Sequence, residues 1–147
     1  MKKLPKLNLP SYTFRFKKSH EGDTLIFDEV RKKWFVLTPE EWVRQNLNKF
    51  LIKSKCYPES MFQIESGLMV NRNKKRSDVV VFKNGSPYIL IECKAPNIKL
   101  NELVFDQATT YNLKLNCPYI ILSNGLKHLS VNVSVFPPKF QEEFPVY

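Results

Sequence analysis

The sequence predicts an α/β protein in which helices flank a mixed central sheet. Three observations predict it: a capped amphipathic helix after residue 37, two apolar runs joined by Asn84-Gly85, and a second helical segment followed by the apolar run YIILS. The order is helix, three strands, helix, strand (α-β-β-β-α-β), which is typical of an α/β sandwich. A chain of 147 residues suits one domain, residues 1–147.

The segments before the first helix are predicted to be an arm and a hairpin. Residues 1–23 are basic, aromatic and interrupted by prolines, which indicates an arm rather than a core element. Residues 24–28 and 33–37 are β-type runs on either side of a charged turn, and this pattern favours a hairpin.

The first core helix carries clear start signals. Thr38 is a good N-cap, Pro39 suits the first helical position, and Glu41 completes a capping box. Apolar residues recur on one face at helical spacing: Val43, Leu47, Phe50 and Leu51. Glu40 lies three residues before Val43, so its side chain is expected to border that inward face, whereas Glu41 points about 100° away.

Strands and a second helix are predicted in the remainder of the chain. Residues 77–82 and 88–93 are expected to pair antiparallel, because Asn84-Gly85 between them is a strong hairpin signal. The other expected elements are strands at 61–65 and 68–70, a helix at 100–115, a strand at 119–123 and an edge strand in KHLSVNVS. The predicted core covers residues 38–125, and an irregular tail occupies residues 136–147.

Charged residues close the apolar strand before Ala95. Alternate strand residues share a face, so Glu92 and Lys94 point the same way and Cys93 points to the other. The hairpin returns Asp78 to the same end of the sheet. Charges at the end of a buried strand are costly unless they pair or hold a metal.

The grouping of Asp78 with Glu92 suggests a metal site. Two nearby carboxylates repel each other, and hard oxygen ligands suit Mg²⁺ or Mn²⁺, with the backbone carbonyl of Cys93 as a natural further ligand. Such an ion polarises a phosphodiester and lowers the pKa of a bound water. Lys94 would orient or deprotonate that water, or stabilise the developing charge on phosphorus. The alternative is a solvated strand end with a simple ion pair.

The composition favours a polyanionic partner and a reducing compartment. The net charge of +9 fits binding to nucleic acid, although a basic surface kept for solubility is the alternative. Candidate phosphate contacts, which solvated surface charges would explain equally well, are Arg44, Arg72, Lys74, Lys75 and Arg76. An odd count of three cysteines fits reduced thiols in the cytoplasm. No apolar run is long enough to span a bilayer, so no membrane association is expected.

The motifs resemble the PD-(D/E)XK nuclease superfamily, specifically the nuclease domain at the N-terminus of type I restriction enzyme R subunits. The matching pieces, in the family's order, are TPEEWVRQNLNKFL, KRSDVVVF, YILIECKAP, DQATTYN and ILSNG. The resemblance implies a restriction-endonuclease-like core and a Mg²⁺-dependent nuclease acting on DNA. Ser77 replaces the proline that precedes the aspartate in the family.

Site roles follow from the resemblance residue by residue. Asp78 and Glu92 match the metal ligands, and Lys94 matches the catalytic lysine. Gln107 and Tyr111 match the Gln-x-x-x-Tyr pair, and residues four apart on a helix share a face. The family also has a metal-binding glutamate on the first helix, for which Glu40 fits better than Glu41.

The family's motor is expected to be supplied by another chain. R subunits carry a helicase-like motor after the nuclease, whereas this chain has no Walker motif. The expected partners are therefore DNA and motor or recognition subunits acting in trans. The competing hypotheses are a DNA-binding or partner-docking module that does not cleave, and a structural protein whose charges form simple ion pairs.

Overall fold

The computed structural model describes residues 3–66 and 77–147. Nine strands, two α-helices and one short 3-10 helix occur within these ranges. They are, in chain order, β1 (Phe16–Lys18), β2 (Thr24–Asp28), β3 (Lys33–Val36), α1 (Pro39–Lys53), a 3-10 turn (Glu59–Met61), β4 (Phe62–Ser66), β5 (Ser77–Lys83), β6 (Ser86–Cys93), α2 (Glu102–Leu115), β7 (Tyr119–Ser123), β8 (His128–Asn132) and β9 (Lys139–Gln141).

The main sheet has six strands in the order β4-β5-β6-β7-β8-β9. Strands β6 and β7 are parallel, with Ile91 opposite Ile121, and the other neighbours are antiparallel. A parallel pair needs a long crossover, and α2 supplies it. The prediction of a mixed sheet flanked by helices is confirmed, as is the antiparallel β5–β6 hairpin turning at Asn84-Gly85.

The two helices cover opposite faces of the main sheet. One apolar cluster joins α1 to the odd-numbered core positions of β5 and β6: Val43, Leu47, Leu51, Val79, Val81, Ile89, Ile91 and Cys93. The other joins α2 to the alternate positions: Val80, Leu90, Val104, Ala108, Ile120 and Leu122. Strand β6 is therefore buried on both faces, and any charge at its end lies at the boundary of both clusters.

A separate three-stranded sheet, β1-β2-β3, packs against α1. Phe16 of β1 lies 6.5 Å from the ring of Trp42, and Lys49 donates to the carbonyl of Thr13 at 2.7 Å. This second layer, together with the N-terminal arm beside Asn46, explains why polar residues of α1 are also buried: Arg44, Gln45, Asn46 and Asn48. Periodicity alone predicted one buried face on this helix.

The C-terminal tail is more ordered than the sequence suggested. Strand β9 pairs with β8, so β8 is not the edge strand that was predicted. The hydroxyl of Tyr57 donates to the carbonyl of Pro145, and the hydroxyl of Tyr147 donates to that of Phe82 at 2.9 Å. The tail thus combines a short strand with packed irregular backbone. The predicted strand at 68–70 lies outside the described residues.

Candidate active site at the end of β6

The β5–β6 pairing determines which residues meet at this end of the sheet. Val79 pairs with Ile91, so Asp78 and Glu92 occupy the next positions on the two strands, at the end where β5 begins and β6 ends. The backbone therefore brings the two sequence positions to the same end of the sheet, as the hairpin signal predicted, and a register shift between Val81 and Phe82 makes them direct neighbours. The side chain of Asp78 lies outside the described part of the structure.

Glu92 and Lys94 form an ion pair at the end of β6. Nζ of Lys94 lies 3.6 Å from Oε1 of Glu92. Glu92 is only 5% exposed, whereas the Lys94 side chain is 27% exposed. The Lys94 amide donates to the carbonyl of Ser123 at 2.8 Å, which continues the β6–β7 ladder by one bond. The lysine is thus fixed at its backbone, and its ammonium borders both the buried carboxylate and solvent.

Cys93 points to the opposite face, as strand alternation predicted. Its side chain packs in the α1 cluster, and burial raises the pKa of the thiol to about 12. The charge of Arg44 opposes this shift, while the carboxylates of Glu40, Glu41 and Glu92 add to it. The thiol is a neutral packing group, and the first turn of α1 lies within electrostatic range of the end of β6.

Glu41 is the centre of a buried ionic network. Its carboxylate accepts hydrogen bonds from Nη1 of Arg44 at 2.6 Å, from Nε2 of Gln45 at 2.7 Å and from Nη2 of Arg31. Its amide donates to Oγ1 of Thr38 at 3.0 Å, which confirms the predicted N-cap. Its carboxylate, however, binds the two arginines instead of completing the predicted capping box, because the small sheet brings Arg31 against α1.

Glu40 lies closer to solvent than its neighbour. Its side chain is 43% exposed and lies 3.7 Å from Nη2 of Arg44, whereas the side chain of Glu41 is 7% exposed. Partial exposure is compatible with a position that borders the Val43 face, and Glu41 is the more buried of the two because the small sheet covers its side of the helix. Whether Glu40 binds a metal stays a prediction.

Arg44 does not have the surroundings expected of a phosphate contact. It is 2% exposed and is held by Glu41 and Glu40. In this arrangement it neutralises the first turn of α1 and offers no exposed guanidinium to DNA. The other predicted contacts lie outside the described residues: Arg72, Lys74, Lys75 and Arg76.

Gln107 and Tyr111 share one flank of α2. Tyr111 is half-buried against the α2 cluster, and Gln107 is exposed. Phe105, on the other flank, contacts Phe140 of β9 at a ring distance of 5.5 Å. The Gln107 flank therefore faces the β5 side of the sheet, where Asp78 lies.

Polar contacts that the sequence did not reveal support the loops around this end. Nδ2 of Asn124 donates to the carbonyl of Ile98 at 2.7 Å, which ties the β7–β8 turn to the loop after β6. Oγ of Ser123 accepts from the Gly125 amide at 2.9 Å and lies 2.7 Å from Nδ1 of His128. Only the Asn124-Gly125 turn signal marked this region in the sequence.

Comparison with known families identifies the chain. A model of the type I restriction enzyme R protein N terminus matches residues 39–144. The chain belongs to this family. The match begins in α1 and includes β4 to β9, so β1, β2 and β3 precede it. No curated protein and no solved structure matches significantly.

Membership of this R protein family confirms the resemblance drawn from the motifs. The predicted Asp78, Glu92, Lys94, Gln107 and Tyr111 all fall inside the matched range. Over residues 3–66 and 77–147, no cluster of three or more His, Cys, Asp or Glu residues is arranged to hold a metal. The expected ligand set, however, includes the side chain of Asp78, which lies outside the described part of the structure. The carboxylate and carbonyl oxygens of this set suit Mg²⁺. In the same ranges no helix is both long and apolar enough to cross a membrane.

Proposed function

We propose that this member of the R protein N-terminal family is a metal-dependent deoxyribonuclease whose site lies at the end of β6. The observation that carries the proposal is the arrangement of one hairpin: Asp78 adjacent in register to Glu92, with Nζ of Lys94 3.6 Å from that glutamate. Family membership supports it, because all three positions fall inside the matched range.

The proposed cation is Mg²⁺ or Mn²⁺. Asp78, Glu92, the backbone carbonyl of Cys93 and Glu40 would hold it, and all four offer hard oxygen atoms. When bound, it would polarise the scissile phosphate and lower the pKa of a coordinated water. Glu40 stands in the first turn of α1, which lies within electrostatic range of Cys93 at the end of β6.

Lys94 is the proposed proton-handling or charge-stabilising residue. Its backbone is held by Ser123 and its ammonium is partly exposed. The side chain can therefore contact a substrate while it stays close to Glu92. It would orient the attacking water or accept its proton, or it would stabilise negative charge on phosphorus. Gln107 and Tyr111, on the helix flank facing β5, would position the DNA strand.

A cleavage assay with a matched lysine control tests the proposal. Supercoiled, linear and single-stranded DNA would be incubated with Mn²⁺ and wild type, Lys94→Ala or Lys99→Ala. Lys99 is exposed in the loop after β6, so its removal makes the same charge change nearby. We expect Lys94→Ala to lose about 10²–10⁴-fold in rate and Lys99→Ala to cleave like wild type. Equal rates for all three proteins would contradict the role of Lys94.

A second outcome separates the proposal from its alternative. If no protein cleaves any substrate, alone or with motor and recognition subunits of a restriction enzyme, the proposal fails. Salt-sensitive DNA binding that Glu92→Ala leaves unchanged would then favour a module that does not cleave. DNA as the substrate and the three free cysteines also lead us to propose the cytoplasm as the compartment.

A further inference from the structure

The N-terminal sheet has two chemically different faces. Its inner face meets α1: Ile26 is fully buried, and the Arg31 guanidinium lies 3.5 Å from the centroid of the Phe35 ring. Phe27 lies opposite Trp34, and Lys17 lies opposite Leu25. These residues alternate with Ile26 and Phe35 along the strands, so their side chains lie on the side of the sheet that faces away from α1. We call this side the outer face; it consists of Arg15, Lys17, Leu25, Phe27, Trp34 and Val36.

Aromatic rings form the centre of the outer face. Phe27 and Trp34 pack edge to face with ring centroids 5.2 Å apart. Neither ring belongs to the two apolar clusters that hold the main sheet. Val36 beside them is 51% exposed. Both rings are partly exposed, so the uncovered parts of the rings can meet a ligand.

Unpaired cations border the rings. The guanidinium carbon of Arg15 lies 4.7 Å from the Phe27 centroid, and Nζ of Lys17 lies 4.4 Å from the Trp34 centroid. In the part of the chain that the structure describes, neither cation has a carboxylate within ion-pair distance. Both side chains are exposed and rest on the rings, so they can turn toward an anion at little cost.

The segment up to the end of β1 adds positive charge, while the exposed β1–β2 turn carries two acidic residues, Glu21 and Asp23. Residues 1–20 contain six Lys and Arg residues and no Asp or Glu. The acidic residues at the end of β2 are turned to other partners, since Asp28 binds Arg31 and Glu29 lies 3.5 Å from Lys49. The outer face therefore presents rings and positive charge together.

We propose that the outer face binds single-stranded nucleic acid. Bases would stack on Trp34 and Phe27, and phosphates would be held by Arg15 and Lys17. Exposed base faces are what an aromatic surface recognises, and a duplex keeps its base faces stacked inside. The sheet lies outside the family match, so this surface is an addition to the matched region, and the inference does not rest on cleavage.

The surface is also rigidly joined to the matched domain. Arg31 binds Asp28 at the end of β2 and Glu41 in the first turn of α1. A strand bound on the outer face would therefore be held at a fixed orientation relative to α1, whose first turn lies near the end of β6.

Binding of the full chain to a fluorescent oligo-dT of about 15 nucleotides, in EDTA, tests this inference. We expect Trp34→Ala to weaken binding at least about fivefold, Trp34→Phe to weaken it less, and neither to change affinity for a duplex of equal length. Lys17→Ala should lower the salt slope by about 0.7, as expected for one phosphate contact on a single strand. Lys114→Ala, with the same charge change at the exposed end of α2, should leave affinity and slope unchanged.

Three results would overturn the inference. One is a folded Trp34→Ala protein that binds oligo-dT as tightly as wild type. Another is a Lys17→Ala effect no larger than that of Lys114→Ala. The third is displacement of oligo-dT by poly-glutamate at equal charge, which would assign the surface to acidic chains in general. Because EDTA excludes cleavage, none of these depends on the proposed nuclease activity.

Discussion

Two glutamates of this protein are equally buried but have different neighbours. Glu41 and Glu92 are each 5% exposed. Glu41 is enclosed by cations and an amide, whereas Glu92 pairs with Lys94 and has Asp78 at the adjacent register position. A carboxylate saturated by guanidinium groups is a structural element. A carboxylate grouped with another acidic residue is suited to an added cation.

The largest expected effect separates these two residues by stability. Glu41→Gln leaves Arg31 and Arg44 buried with less negative charge, and we expect it to lower the free energy of unfolding by about 3–5 kcal/mol. Glu92→Gln should cost no more than about 1 kcal/mol, because Lys94 keeps access to water. Urea denaturation in EDTA measures both. Equal losses of unfolding free energy in the two variants would contradict the distinction between Glu41 and Glu92.

Removal of a neutral buried hydrogen bond should have an intermediate effect on the free energy of unfolding. Tyr57→Phe removes the bond to the Pro145 carbonyl, and we expect it to cost about 1 kcal/mol at neutral pH. Tyr12→Phe, which removes an exposed bond to Ser54, should cost less.

The contribution of Tyr57 to the free energy of unfolding depends on pH. Burial, and secondarily the charge of Tyr88, raises the pKa of Tyr57 above its ordinary value of 10.0. The folded state therefore favours the neutral phenol. Its contribution to stability is full below pH 10 and is lost as the pH rises beyond it. Unfolding measured at rising alkaline pH should show wild type approaching Tyr57→Phe, and a constant difference would contradict this account.

The smallest expected stability change tests the choice between the neighbouring glutamates. Glu40→Gln removes a half-exposed ion pair and should alter the free energy of unfolding by no more than about 0.5 kcal/mol. If Glu40 completes the metal site, the same variant should bind Mn²⁺ more weakly and cleave more slowly. A variant with wild-type stability and wild-type cleavage would remove Glu40 from the site.

The parts of the site that depend on local geometry could be predicted from the sequence. Asn84-Gly85 adopts positive φ angles of 52° and 77°, and this two-residue turn makes β5 and β6 an antiparallel hairpin. A register shift between Val81 and Phe82, which no sequence signal marked, then brings Asp78 opposite Glu92, and strand alternation separates Cys93 from both. The turn and the alternation needed only neighbouring residues, whereas the register shift did not follow from them.

The missed features depend on packing between distant elements. The position of Arg31 against Glu41 follows from how the small sheet lies on α1, and helical periodicity contains no information about that second layer. Strand β9 has three residues and follows Pro137-Pro138, so it has no alternation to detect. Its pairing with β8 follows from the path of the chain after residue 132.

The central claim is that Glu92 belongs to an acidic group that binds a divalent cation, and calorimetric titration with Mn²⁺ tests it most directly. Wild type would be compared with Glu92→Gln, Asp78→Asn and Glu102→Gln, the last an exposed acidic residue at the start of α2. We expect one site in wild type and in Glu102→Gln, with affinity reduced about tenfold or more in the other two. Equal uptake by all four proteins would show that the Glu92–Lys94 pair is a simple ion pair and would contradict the account.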